Sequence, residues 1–78
     1  MNEPNFVKFN DFKSSTIETL WYSEEKQELI VEFKSGEQYR YKEVTLSEWK
    51  ALCSAESKGK FLNENIKSKS YQKMVLHD

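Results

Sequence analysis

One cysteine, one histidine, one proline and two glycines leave this 78-residue chain short of the residue types that carry recognisable chemistry. Cys53 has no intrachain disulfide partner. Small secreted domains usually need such staples, so a reducing cytoplasm is the expected home. Cys53 and His77, the penultimate residue, are too few to complete a zinc set. Nor does the sequence place a base beside that thiol. Gly36 and Gly59 are isolated, so there is no glycine-rich phosphate loop. Nothing in the spacing of the carboxylates gathers a pair into an enclosed pocket, which a chain this short could hardly build. Catalysis, a cofactor and a bound metal are therefore not expected. No apolar run approaches the ~20 residues of a membrane span. The opening Met1-Asn2-Glu3-Pro4 lacks the apolar core of a signal peptide. A net charge of −1 gives no bulk attraction to nucleic acid or to an acidic surface.

What the chain does have is aromatic residues. Two Trp, four Tyr and five Phe offset an apolar content of only 37%. Eleven rings can seed one core and argue against disorder. The length allows one domain, which buries only about 60% of its unfolded surface. Charge is unevenly spread. Residues 1–57 carry seven Lys/Arg against eleven Asp/Glu, a balance of −4; residues 58–78 carry five Lys against Glu64 and Asp78, a balance of +3. A basic end on an acidic body points to an anionic partner for that end.

Residues 1–13 hold Phe6, Val7, Phe9 and Phe12 among polar residues; Phe6, Phe9 and Phe12 fit a loose helical spacing without a cap. They read as an N-terminal arm packed on the body or on a partner. Thr16–Tyr22 is rich in β-branched and aromatic residues. Leu29, Val31 and Phe33 then alternate with polar neighbours, the pattern of a half-buried strand. Ser35-Gly36 marks a tight turn before Gln38-Tyr39-Arg40-Tyr41-Lys42. Thr45 and Glu48 have the spacing of a capping box, with Val44 and Trp49 placed for the hydrophobic staple. Leu46, Trp49, Leu52 and Cys53 share one helical face, and Gly59 suits a left-handed helix end. Phe61, Leu62 and Ile66 predict a short second helix, after which Tyr71 and Val75 offer a last apolar contact. The expected fold is α+β: a three-stranded antiparallel β-meander followed by two helices packed on one face, β-β-β-α-α. The domain would span 14–73, with a short tail at 74–78.

Ser14-Ser15-x-Ile17, Tyr22, Leu29-x-Val31-x-Phe33, Gly36 and Tyr39-x-Tyr41 occur in an order that carries a resemblance. Val44, the helix to Ala55, and Ser57-Lys58-Gly59-Lys60-Phe61-x-Asn63-x-x-Ile66-Lys67 complete it. Over residues 14–71 the chain resembles the KTSC domain, named for its occurrence at the C-terminus of some lysyl-tRNA synthetases. That domain is also found alone in small bacterial and phage proteins. Thr45 stands where the family often has Pro, and both residues open helices. The resemblance implies a stand-alone domain, with RNA binding suggested by the synthetase context.

Two functional readings follow from the residues. In the first, Lys58, Lys60, Lys67 and Lys69 contact phosphates, and Tyr39 and Tyr41 with Arg40 supply stacking or groove contacts. Asn63 reads a base edge or bonds the local backbone. Tyr39 and Tyr41 share one side of a strand, so they form either a base platform or the core beneath the helices, with Arg40 then on the opposite face. In the second reading the protein is an adaptor or a small phage-type regulator of a host protein. Its anchors are then Trp21, Ile30, Phe6 and Phe9. The strand edges allow a monomer or an edge-paired homodimer. No membrane partner is expected.

Overall fold

The alternation of Leu29, Val31 and Phe33 produces the central strand of the fold. The computed structural model describes residues 6–67, 69 and 71–74. In it that run is β3 (Glu28–Phe33), flanked by β2 (Ile17–Ser23) and β4 (Gln38–Tyr41) in an antiparallel meander. Two further strands complete the sheet: β1 (Val7–Phe9) pairs with β2, and β5 (Tyr71–Met74) pairs with β4. Among the described residues the sheet therefore has five strands in the order β1-β2-β3-β4-β5, not three. The two additions are three and four residues long, too short to show a period-two pattern. They are extended because the open edges of β2 and β4 offer them hydrogen-bonding partners.

The N-terminal segment is corrected accordingly. Phe6, Phe9 and Phe12 do not lie on a helix: Val7 sits opposite Tyr22 and Phe9 opposite Leu20, so residues 7–9 belong to the sheet. At the other end Met74 belongs to β5 and not to a tail. Val75 and His77 lie outside the described residues.

The two expected helices are inserted between β4 and β5. Helix α1 covers Leu46–Ser54; the short α2 covers Lys58–Phe61 and runs into a π-helical turn at Leu62–Ile66. The capping box that opens α1 is complete. Thr45 Oγ1 accepts the Glu48 N–H at 3.2 Å, and Glu48 Oε1 accepts the Thr45 N–H at 2.9 Å. Gly59 is not a helix end. Helix α1 stops at Ala55 in extended geometry, because Ser57 opens the next helix by accepting the Lys60 N–H. The one positive-φ glycine among the described residues is Gly36 (φ 99°), in the β3–β4 turn.

Both helices lie on one face of the sheet. That face presents Leu20, Tyr22, Leu29, Val31 and Tyr41, all buried, to Val44, Trp49, Leu52, Leu62 and Ile66. A bulge at Glu18 extends this set. The register passes from Ile17 opposite Phe33 to Thr19 opposite Glu32. Two residues of β2 thus span one step of β3, and Ile17 turns onto the same face as Leu20. Tyr22 ties the layers together. Its ring stacks on Trp49 at 5.1 Å between centroids and 9° between planes, and its hydroxyl donates to the Val44 carbonyl at 2.6 Å.

Removing that hydroxyl leaves a buried carbonyl without its donor. Tyr22→Phe is expected to cost about 1–2 kcal/mol, read as a lower urea midpoint at unchanged slope.

Candidate functional site

The Lys13–Thr16 segment turns sharply because Ser14 Oγ accepts the backbone N–H groups of Thr16 (3.1 Å) and Ile17 (3.0 Å). This turn faces the start of α2 across a cleft. Gly59 comes close to Thr16 there; a Cβ at Gly59 would lie 3.7 Å from Thr16 Cβ, an ordinary contact. The cleft opens into a groove of two adjoining cavities that share Ser15, Thr16, Phe33 and Lys67.

The first cavity, about 580 Å³, is basic: Lys13, Lys60 and Lys67 line it with Ser57 and Asn63. The second, about 430 Å³, is walled by Phe33, Tyr39, Tyr41 and Tyr71. Those rings form a connected cluster. Phe33 meets Tyr39 edge-on at 5.6 Å, and Tyr71 lies 5.6 Å from Tyr39 and 5.7 Å from Tyr41. Tyr71 is 57% exposed, so it offers the groove a ring surface, whereas Tyr41 is 2% exposed. Burial, then the neighbouring Tyr39 and Tyr71, raises the Tyr41 phenol above its ordinary pKa. The Tyr41 hydroxyl therefore stays protonated at physiological pH. Five lysines line the groove against Glu37 and Glu56, which makes it basic on a chain of net charge −1. The π turn helps build it. The Lys67 N–H bonds the Leu62 carbonyl at 2.8 Å, and the wide turn brings Asn63 and Lys67 onto the same outward side while Leu62 and Ile66 stay buried. Such π turns are frequent at functional sites.

The expected site residues divide clearly. Lys58, Lys60, Asn63, Lys67, Tyr39 and Tyr41 all line the groove. Lys58 is partly committed elsewhere: Nζ donates to the Ala55 carbonyl at 2.9 Å and lies 5.3 Å from the Phe12 ring centroid and 5.9 Å from that of Phe9. Lys69 does not line it. Its Nζ donates to the Glu43 carbonyl at 3.0 Å and pairs with Glu48 at 3.1 Å. Arg40 is on the opposite face of the sheet, with Nε 3.9 Å from Glu28 Oε1. Tyr41 is core and presents no platform. The residues missed are Lys13, Ser14, Ser15, Thr16, Ser57 and Tyr71. The hydroxyl run beside Lys13 was visible in the sequence, but its approach to Ser57 depends on chain reversal over forty residues.

Trp21 and Ile30 sit opposite one another on the helix-free face, half-buried, in a row with Lys8 and Arg40. Phe9 packs against the core edge, 6.3 Å from Trp49, and Phe6 is half-buried. Cys53 is half-buried, and burial raises its thiol pKa against the opposing pull of Lys58. Among the described residues no group of three or more His, Cys, Asp or Glu is placed to hold a metal ion. No helix among them is long and apolar enough to cross a membrane.

The KTSC domain model matches residues 13–71. The chain belongs to the KTSC domain family. The match begins at Lys13 and ends at Tyr71, so both ends of the matched segment line the groove. An uncharacterized protein of Stutzerimonas stutzeri (strain A1501) is 40% identical over 60 residues, which is 77% of this chain and 84% of that protein. The crystal structure of a KTSC domain protein from Yersinia pestis superposes with a TM-score of 0.81 at 26% identity. The overlap covers 91% of this chain and all of that one.

The Lys69–Glu48 pair carries a pH dependence. Burial acts to raise the Glu48 carboxyl, but the Thr45 N–H, the Lys69 ammonium and the Thr45 hydroxyl together hold it below its ordinary value. A carboxyl lowered on folding contributes stability that is present above the unfolded value, about 4.3, and is lost as pH falls through the folded one. Glu48→Gln keeps an acceptor for the cap and loses the charge. Urea midpoints should favour the wild type at pH 7, with the gap closing on acidification below about pH 4; a gap independent of pH would mean the charge contributes nothing.

Proposed function

We propose that this protein is a small, non-catalytic, cytoplasmic module that binds nucleic acid, RNA foremost, in the groove between the Lys13–Thr16 turn and α2. The observation that carries this reading is the meeting of Lys13, Lys60 and Lys67 with an aromatic wall in one groove. Basic groups that track phosphates beside rings that stack bases are the two parts of a single-strand binding site. Ser15, Thr16, Ser57 and Asn63 add neutral donors suited to phosphate and sugar oxygens. The synthetase context of the family points the same way. Lys69 and Arg40, engaged with Glu48 and Glu28, have no part in this site.

A second reading, binding of a basic protein segment, draws on a separate feature. Exposed Val7 lines a depression of about 500 Å³ with Leu46 and Trp49, and Glu24 and Glu25 stand at its margin. The half-buried Trp21 and Ile30 lie on the opposite, helix-free face and would make a separate anchor for such a partner. The groove reading is preferred because it uses residues at both ends of the family match.

Amide chemical shifts of the labelled protein are expected to move around Lys13–Thr16, Lys60–Lys67 and Tyr71 when short single-stranded RNA is added, and to move less at higher salt. Lys60→Ala and Lys67→Ala should each weaken binding and lower the salt slope by about one. Lys69→Ala and Arg40→Ala should leave that slope unchanged. Absence of shifts even at low salt would remove the nucleic-acid reading.

A further inference from the structure

The groove is not uniform along its length. Its basic part and its aromatic part are separate cavities, joined where Ser15, Thr16, Phe33 and Lys67 are shared. Lys67 is the one charged residue that belongs to both. It is exposed, and the π turn fixes its backbone, with its N–H on the Leu62 carbonyl. Among the aromatic side chains lining the second cavity, Tyr71 is the exposed one. Its ring tilts 44° from Tyr39 and 38° from Tyr41, so it leans on them along one side and leaves the other open.

We infer that the ligand is an unpaired nucleotide held at two points, its base on Tyr71 in the aromatic cavity and its phosphate at Lys67 and Lys60 in the basic one. This rests on the nucleic-acid reading above and adds what it leaves open: that the site discriminates a single strand from a duplex. In a duplex the faces of a base are occupied by its stacked neighbours and its pairing edge by the opposite strand. Such a base cannot enter a cavity walled by Phe33, Tyr39 and Tyr71 unless it is first unstacked, which costs a few kcal/mol. A single strand can splay one base out at little cost, and aromatic side chains receive it without regard to sequence. Phosphate contacts alone would not make this distinction, because a duplex presents phosphates at least as densely. The two-part shape of the groove is what selects.

The test is fluorescence anisotropy with three RNA probes of roughly 12 nucleotides, within the usual size of single-strand sites. They are an oligoadenylate, the same strand with consecutive abasic sugars at its centre, and a duplex. The oligoadenylate should bind about tenfold or more tightly than either of the others. Tyr71→Ala should erase that preference without changing the salt slope, and Tyr71→Phe, which keeps the ring, should retain it. Lys67→Ala should lower the slope for all three probes. Because Tyr71 is exposed, its truncation should leave the fold intact, and Tyr71→Phe checks the ring independently. Equal binding of the abasic strand, the duplex and the oligoadenylate would overturn the two-point site while leaving a phosphate-binding groove. Absence of binding by all three at low salt would overturn the nucleic-acid reading itself.

Discussion

The packing of Tyr22 against Trp49, with its hydroxyl on the Val44 carbonyl, is the interaction on which the rest of this fold depends. A domain this small has little apolar area to spend. One buried tyrosine here joins the sheet to the helical layer by ring contact and satisfies a backbone carbonyl in the loop that leads into α1. That carbonyl immediately precedes the capping box, so the bond also sets where α1 begins. From Thr45 the constraint passes to Glu48 and then to Lys69, whose ammonium holds both the Glu48 carboxylate and the Glu43 carbonyl. Glu43 itself has φ of 61°, a left-handed conformation uncommon outside glycine, within this same network.

Anchoring α1 determines where the chain can go next. Helix α2 and the π turn must come back across the sheet near Thr16 before β5 pairs with β4. The groove is the space left between that return path and the Lys13–Thr16 turn. Its two halves have different origins. The basic half is made by residues on the surface of the return path, which are free to be charged. The aromatic half is the exposed margin of the core itself, where Phe33 and Tyr39 are only half covered and Tyr71 closes the end of the sheet. The rings of this margin, Tyr39 and Tyr71, pack against the buried Tyr41.

Lysines that look alike in sequence serve different ends. Lys58 covers the Phe9 and Phe12 rings and bonds the Ala55 carbonyl, so it fastens the N-terminal strand to α2. Lys69 locks the capping box. Lys60 and Lys67 are left for the groove. The pattern Lys58-x-Lys60 and Lys67-x-Lys69 could not separate these roles, because each is set by what lies across space from the ammonium. The acidic balance of residues 1–57 is likewise partly internal: Glu28 meets Arg40, and Glu48 meets Lys69.

The sequence by itself determined the layer that repeats locally. Period-two alternation established β3 and β4, and β-branched and aromatic residues established β2. The capping box established the start of α1, since both of its hydrogen bonds are made within four residues. The side-by-side placement of Tyr39 and Tyr41 followed from the geometry of a strand, as did the opposite orientation of Arg40. Tertiary structure decided everything that needs a distant partner. Residues 7–9 and 71–74 are too short to declare themselves as strands, and they become strands because β2 and β4 have open edges. Gly59, which as an isolated residue reads as a helix end, lies inside a helix because Ser57 can cap one there. Tyr71 becomes part of the groove, and Tyr41 part of the core, through antiparallel pairing of β4 with a strand thirty residues further along. No local pattern encodes that register; it is set by which side chains the folded layers must cover.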